Sequence, residues 1–120
     1  MTLRILFLDD DENLLKGIAR VLKAQRADIG FSMCATCDEA LRALEEQSFD
    51  AVVADYRMPG RDGLDFLEEV KARFPNTKRV LLTGQSESEV REKASPIVDR
   101  YFTKPCETLA LLEAIESLTR

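Results

Sequence analysis

At 120 residues the chain has room for one domain and no second core. Apolar residues make up 45% of it and charged residues 32%, with 22 Asp and Glu against 17 Lys and Arg. A formal net charge of -5 argues against non-specific binding to nucleic acid or anionic membranes, and no apolar stretch reaches the length of a membrane span.

Met1-Thr2-Leu3-Arg4 leads directly into a strand-like run over residues 3–8, with no signal peptide before it, so a cytoplasmic chain is expected. Asp9, Asp10 and Asp11 follow, and Leu14, Leu15, Ile18, Val21 and Leu22 then recur at helical spacing. Residues 29–35 read as a second strand. Thr36-Cys37-Asp38-Glu39 is a capping box, in which the threonine and glutamate are expected to satisfy the first free amides of a helix through about residue 47.

Residues 51–54 are apolar throughout, as in a strand buried on both faces, and end abruptly at a lone carboxylate, Asp55, with Pro59, Gly60 and Gly63 behind it. Leu64, Leu67, Val70 and Phe74 keep helical spacing until Pro75-Asn76 stops them. Residues 79–82 form a fourth strand ending at Thr83-Gly84. Ser86 and Glu89 make a second capping box, and the helix behind it carries only Val90 and Ala94 as apolar anchors, so it is expected to be loosely held. Residues 100–103 are a short fifth strand that runs into Lys104-Pro105. Leu109, Leu112, Ile115 and Leu118 line a closing helix.

Three cysteines exclude a fully paired disulfide framework, and Cys34-Ala-Thr-Cys37 is the one close pair. With no histidine and no second pair, a zinc site would need carboxylates to complete it. The simpler reading places Cys34 at a strand end and Cys37 at a helix start, both as small buried residues.

Five strands alternating with five helices imply an α/β domain built on a parallel sheet covered on both faces. Right-handed crossovers make the doubly wound, flavodoxin-like strand order 2-1-3-4-5 the expected topology, with residues 1–120 as a single domain. Neither a repeat, a low-complexity tract nor a linker is evident.

In such a sheet the residues just past the strand ends share one crevice. Here they are Asp9, Asp10 and Asp11, then Asp55, Thr83 and Lys104. Singly, each has a bland explanation. An Asp after a strand is commonly a turn or helix cap, the Asp9–Asp11 run suits the first turn of a helix, and Lys104-Pro105 suits a surface loop. One cap uses at most one of three adjacent acids, however, and four bland explanations at one sheet edge do not combine well.

Carboxylates so close repel one another, and a hard divalent cation is the usual remedy. Mg²⁺ suits the set best, because it binds through one or two carboxylates and accepts phosphate oxygens. A lysine and a hydroxyl opposite the metal would clamp a phosphoryl group, and a carboxylate in the site can accept it covalently. With no Walker loop and no G-x-G-x-x-G, no nucleotide is implied.

Four segments in order, "ILFLDDDENLL" (5–15), "FDAVVADYRMPGRDGLDFL" (49–67), "RVLLTG" (79–84) and "YFTKP" (101–105), resemble the receiver domain of two-component response regulators. The resemblance implies that Asp55 is the phosphoacceptor. It implies Asp10 as a direct Mg²⁺ ligand beside Asp55, Asp9 acting on the metal through water, and Arg57 lending a backbone carbonyl. Thr83 and Lys104 would bind the phosphoryl oxygens.

The implied donor is a phosphohistidine on a sensor histidine kinase or histidine phosphotransfer protein. Hydrolysis of the aspartyl-phosphate would reset the domain, which would act as its own phosphoacceptor and not as an enzyme on a separate substrate. Tyr101 matches the family's switch aromatic, which moves inward when the Thr83 hydroxyl is drawn to the phosphoryl group. The responding face would be the fourth helix, fifth strand and last helix, with neither nucleic acid nor membrane bound directly.

Two stretches depart from the family pattern. "SPIVDRY" (95–101) replaces the usual Gly-containing turn before the fifth strand, and Gln85 with Arg57 occupies positions that influence the lifetime of the phosphoryl group. A rival resemblance, to haloacid-dehalogenase-like phosphohydrolases, would use Asp9, Asp11, Thr83 and Lys104. It leaves Asp55 unexplained and lacks the acidic pair that should follow the lysine. A receiver that only binds partners would have no use for the charge cluster.

Overall fold

The computed structural model describes residues 2–84 and 88–120. Five parallel strands, β1 (Arg4–Leu8), β2 (Gly30–Cys34), β3 (Ala51–Asp55), β4 (Lys78–Thr83) and β5 (Arg100–Thr103), lie in the order β2-β1-β3-β4-β5. Between and after them run α1 (Glu12–Gln25), α2 (Cys37–Glu46), α3 (Gly63–Arg73), α4 (Ser88–Ala94) and α5 (Thr108–Thr119). The expected doubly wound α/β order is the order found.

Alternation along the strands builds two cores. Ile5, Phe7, Val53, Val80 and Leu82 face α1 and α5, where Leu15, Ile18, Leu22, Leu111, Leu112 and Ile115 meet them. Leu6, Leu8, Val52, Ala54 and Leu81 face the other way, toward Ala40 and Leu44 of α2, Leu67 and Val70 of α3, and Val90 and Ala94 of α4. Successive side chains of a strand point to opposite faces, so a central strand covered on both must be apolar throughout. Every residue of β3 is buried. Each fully buried Val or Leu adds about 1.5–3 kcal/mol over its exposed state.

The helix ends follow from local chemistry. Asp11 caps α1, its carboxylate accepting from the amides of Asn13 (3.0 Å) and Leu14 (3.2 Å). Asp62 caps α3 by accepting from the Asp65 amide at 2.7 Å. At α2, Thr36 Oγ1 accepts from the Glu39 amide (3.1 Å), but the Glu39 carboxylate takes the Thr36 hydroxyl (3.3 Å) where a full capping box would have it accept from the Thr36 amide.

Cys34 ends β2 and Cys37 opens α2, both buried, and burial pushes the Cys34 thiol up to about 11. Such a thiol is a packing residue at neutral pH.

Two details differ from the sequence expectation. Asp55 and Thr83 are the last residues of their strands, not the first beyond them. In α5 the buried set is Leu111, Leu112, Ala114 and Ile115, while Leu109 is 41% exposed. Leu112, Ile115 and Leu118 of the expected stripe do meet the core, and only Leu109 turns outward, because at about 100° per residue it falls on the opposite side of the helix from Leu118. The second capping box, at Ser86, and the lifetime candidate Gln85 lie outside the described residues.

Candidate functional site: an acidic crevice at the sheet edge

The carboxyl ends of β1, β3, β4 and β5 lie side by side, and the sheet register brings their terminal residues level. Asp55 pairs with Leu82, and Thr83 with Thr103. The Asp9 amide donates to the Cys34 carbonyl (3.1 Å), the Tyr56 amide to Leu82 (2.7 Å) and the Lys104 amide to Thr83 (2.7 Å). The backbone just past each strand is thereby tied to its neighbour, and the functional side chains start from fixed points.

Lys104 is the centre of charge. Its Nζ lies 2.9 Å from Asp9 Oδ2 and 3.0 Å from Asp55 Oδ1. Asp9 is 3% exposed and Asp55 7%. Burial alone would lower the ammonium's pKa, but the hydrogen bonds to Asp9 and Asp55 and the charges of both carboxylates together outweigh it and hold the pKa above the ordinary lysine value. The Asp55 carboxyl is pushed above its usual range, first by burial and then by the charges of Asp9 and Asp10, against the pull of Lys104. One cation faces three acids, and the crevice is left short of positive charge.

Asp9, Asp10 and Asp55 each present a carboxylate oxygen, all within 4.8 Å of one another. Asp9 has its oxygens engaged by protein donors: Oδ2 by Lys104 and Oδ1 by the Asp11 amide at 2.9 Å. Asp10 is exposed and lines a cleft of about 450 Å³ with Tyr56, Arg57, Met58, Pro59 and Asp62. Asp11 is the member of the run that caps the helix, so capping does not account for Asp9 and Asp10. This donor set, all hard oxygen with two of the three carboxylates buried, fits a divalent cation.

The sequence-predicted residues separate into groups. Asp9, Asp10, Asp55 and Lys104 converge directly, and Thr83, 2% exposed, ends the strand next to β3. Arg57 reaches the site's rim by sharing the cleft with Asp10. Tyr101 stands on β5 opposite Leu81, half-buried against the α2–α3–α4 core, and the Arg91 guanidinium of α4 lies over its ring at 5.3 Å.

Gly63 was missed as a functional position. A Cβ there would stand 1.9 Å from the Asp55 carbonyl oxygen and 2.7 Å from its carbon. The glycine lets α3 begin against the backbone that carries the carboxylate, and its amide donates to Tyr56 (2.8 Å). The signal available in sequence was a lone glycine at a helix start, where a side chain would ordinarily be free.

The response regulator receiver domain model matches residues 5–116. The chain belongs to the response regulator receiver domain family. The receiver domain is 31% identical to the chemotaxis protein CheY of Pseudomonas aeruginosa, over 97% of this chain and 95% of that one. It is 28% identical to the transcriptional regulatory protein YesN of Bacillus subtilis, over 96% of this chain but 32% of YesN. It thus spans about a third of the one relative and nearly all of the other.

Among solved structures, a CheY-like receiver domain protein from Methanospirillum hungatei superposes with a TM-score of 0.90 at 27% identity, covering 99% of this chain and 94% of that one. Receiver domains are signalling domains that accept phosphoryl groups from histidine kinases. The pocket of Asp9, Asp10 and Asp55 fits a phosphoryl-accepting aspartate. Among the described residues no helix is long and apolar enough to cross a membrane.

Proposed function

We propose that residues 1–120 form one receiver domain that takes a phosphoryl group onto Asp55 from a phosphohistidine of a sensor histidine kinase or histidine phosphotransfer protein, in the cytoplasm. The observation that carries this reading is the contact of Lys104 with Asp55 at 3.0 Å beside two further carboxylates, at the end of a wholly buried strand. A carboxylate oxygen of Asp55 attacks phosphorus, the N–P bond breaks, and its electron pair stays on the donor imidazole. No base is needed, because a carboxylate is already an anionic nucleophile.

Mg²⁺ would be held by Asp10, Asp55 and the Arg57 carbonyl, with Asp9 acting through water. When bound it would neutralise the carboxylates and the phosphoryl oxygens as they approach. Lys104 would pass from Asp55 to a phosphoryl oxygen, remaining anchored by Asp9. Asp9 is thereby a positioning residue for the ammonium, in keeping with its two protein hydrogen bonds. The Thr83 hydroxyl would take a second oxygen.

In the reset, water attacks phosphorus, the P–O bond to Asp55 breaks and inorganic phosphate leaves. The domain thus turns over its own phosphoryl group and has no separate substrate. Arg57 and Gln85 are the candidates for setting the rate. Movement of Thr83 toward the phosphoryl group would draw Tyr101 inward from under Arg91 and alter the α4–β5–α5 face.

Intact-mass measurement after incubation with acetyl phosphate tests the reading, with and without Mg²⁺, on wild type and Asp55→Asn. A Mg²⁺-dependent gain of one phosphoryl group, absent from the variant, is expected. No gain in wild type, or a gain that survives the substitution, would overturn it.

A further inference from the structure

We infer that Arg61 is a positioning residue for the metal site, fixing the loop that carries the Arg57 carbonyl by clamping that loop to α3. The inference rests on the reading of that carbonyl as a Mg²⁺ ligand.

The segment 56–62 leaves the sheet at Asp55 and returns at Gly63, and the Gly63 amide closes its base on the Tyr56 carbonyl. Its apex is a tight turn. Gly60 has φ +79°, in the left-handed region, and the Arg61 amide donates back to the Pro59 carbonyl at 2.9 Å. Tyr56 and Met58 pack against the core and hold the near limb of the loop, whereas Pro59, Gly60 and Asp62 on the far limb are exposed.

The Arg61 side chain runs the other way, along α3. Nε donates to Asp65 Oδ2 at 2.7 Å, Nη2 to the Asp65 carbonyl at 3.1 Å, and Nη2 also lies 2.7 Å from Glu69 Oε1. The ladder continues. Arg73 Nη1 meets Glu69 Oε2 at 2.7 Å, and Arg73 Nη2 reaches Glu45 of α2. A chain of alternating charges thus ties the loop to two helices. The rigid guanidinium fork fixes direction as well as distance.

Stability is a poor explanation for this arrangement. Asp65 is 62% exposed, and ion pairs at such positions add little to folding. Position is a better one. Mg²⁺ demands near-octahedral oxygens at about 2.0–2.1 Å, so a backbone ligand needs both limbs of its loop held: Tyr56 and Met58 hold the near limb on the core, and Arg61 holds the far one on α3. Arg57 precedes Arg61 in the same loop and shares the Asp10 cleft with Met58, Pro59 and Asp62. Releasing Arg61 frees the apex while leaving Asp9, Asp10, Asp55 and Lys104 untouched.

Titration calorimetry with MgCl₂ on wild type, Arg61→Ala, Arg61→Lys and Asp10→Asn tests this, with thermal midpoints measured alongside. Arg61→Ala should weaken Mg²⁺ affinity about tenfold, the effect usual for groups that orient a metal ligand. Its midpoint should hardly move, and Arg61→Lys should recover part of the loss. Phosphorylation by acetyl phosphate should regain the wild-type rate at saturating Mg²⁺. Affinity unchanged in Arg61→Ala but lost in Asp10→Asn would overturn the inference and leave the metal site standing. Absence of Mg²⁺ binding by wild type would overturn the metal reading and the inference together.

Discussion

Gly63 and Asp55 touch through their backbones: a Cβ at residue 63 would lie 1.9 Å from the Asp55 carbonyl oxygen, with the Tyr56 Cα also within 3.2 Å. The neighbours in that contact are main chain of β3 and cannot swing aside. Gly63→Ala should therefore cost at least the 1–3 kcal/mol typical of an overpacked site, roughly, and displace the Asp55 carboxylate with it. Gly17, in the middle of α1, has nothing within 4 Å of its would-be Cβ. Gly17→Ala should stabilise by about 0.5–1 kcal/mol through helix propensity alone. Urea denaturation of the two variants should shift in opposite directions, and a neutral Gly63→Ala would contradict the contact.

Lys104 compensates two buried acids at once. Removing it in Lys104→Met leaves Asp9 and Asp55 facing each other without a cation. Its side chain is 26% exposed, so some water already reaches the group. The expected loss in EDTA is about 2–3 kcal/mol, under the roughly 3–5 kcal/mol of a fully buried pair. Mg²⁺ should narrow the difference, because without the ammonium on Asp9 and Asp55 the variant binds the cation more tightly than wild type and gains more from it by mass action. Urea curves with EDTA and with MgCl₂ decide the matter. A loss of the same size in both would mean that the ammonium and the cation do not compete for the same carboxylates.

An acid-sensitive clasp joins the end of α1 to α5. The Arg26 guanidinium donates to both oxygens of Glu116 (2.9 and 3.0 Å) and both of Asp28 (3.1 Å each). These bonds hold the Glu116 and Asp28 carboxyls below their ordinary values. A carboxyl lowered by folding supports the fold fully above its unfolded pKa, about 4.3 for Glu and 3.9 for Asp. That support is lost as pH falls through the folded values. The midpoint difference between wild type and Arg26→Gln should accordingly stay steady above about pH 5 and narrow below about pH 4. Thermal scans across that range check it, and a constant gap would show that the clasp acts by packing and not by charge.

How much of this was legible in the sequence depended on whether a residue's role is local. Strand ends are local, so the apolar run stopping at Asp55 and the acids after residue 8 marked the crevice once the topology was inferred. Asp11 as a cap follows from its place before a helical stripe. Roles set by a distant backbone were not legible. Nothing near Gly63 in sequence says that Asp55 lies against it, and Leu109 drops out of the α5 stripe because leucines three apart drift around a helix. The Arg61–Asp65–Glu69–Arg73 ladder has the four-residue spacing of a helix face, but Arg61 itself precedes the helix and reads as loop.

Arg79 holds the turn between α4 and β5. At 11% side-chain exposure it donates from Nε to the Ile97 carbonyl (2.7 Å) and from Nη1 to Thr77 (2.9 Å). Its amide donates to Asp99 Oδ2 (2.8 Å), and the Asp99 amide donates back to the Arg79 carbonyl (2.8 Å). Lys71 of α3 adds a bond to the Pro96 carbonyl at 2.6 Å. Carbonyls of this turn are thus tied to β4 and α3, and the far end of α4 is anchored where it meets β5. Arg79→Ala strips two carbonyls of their donor and should cost about 2–3 kcal/mol. Amide exchange should quicken over residues 95–99 while β1 and β3 keep their protection. If exchange there were unchanged, Lys71 and the backbone would suffice to hold the turn, and Arg79 would be a packing residue for the sheet edge.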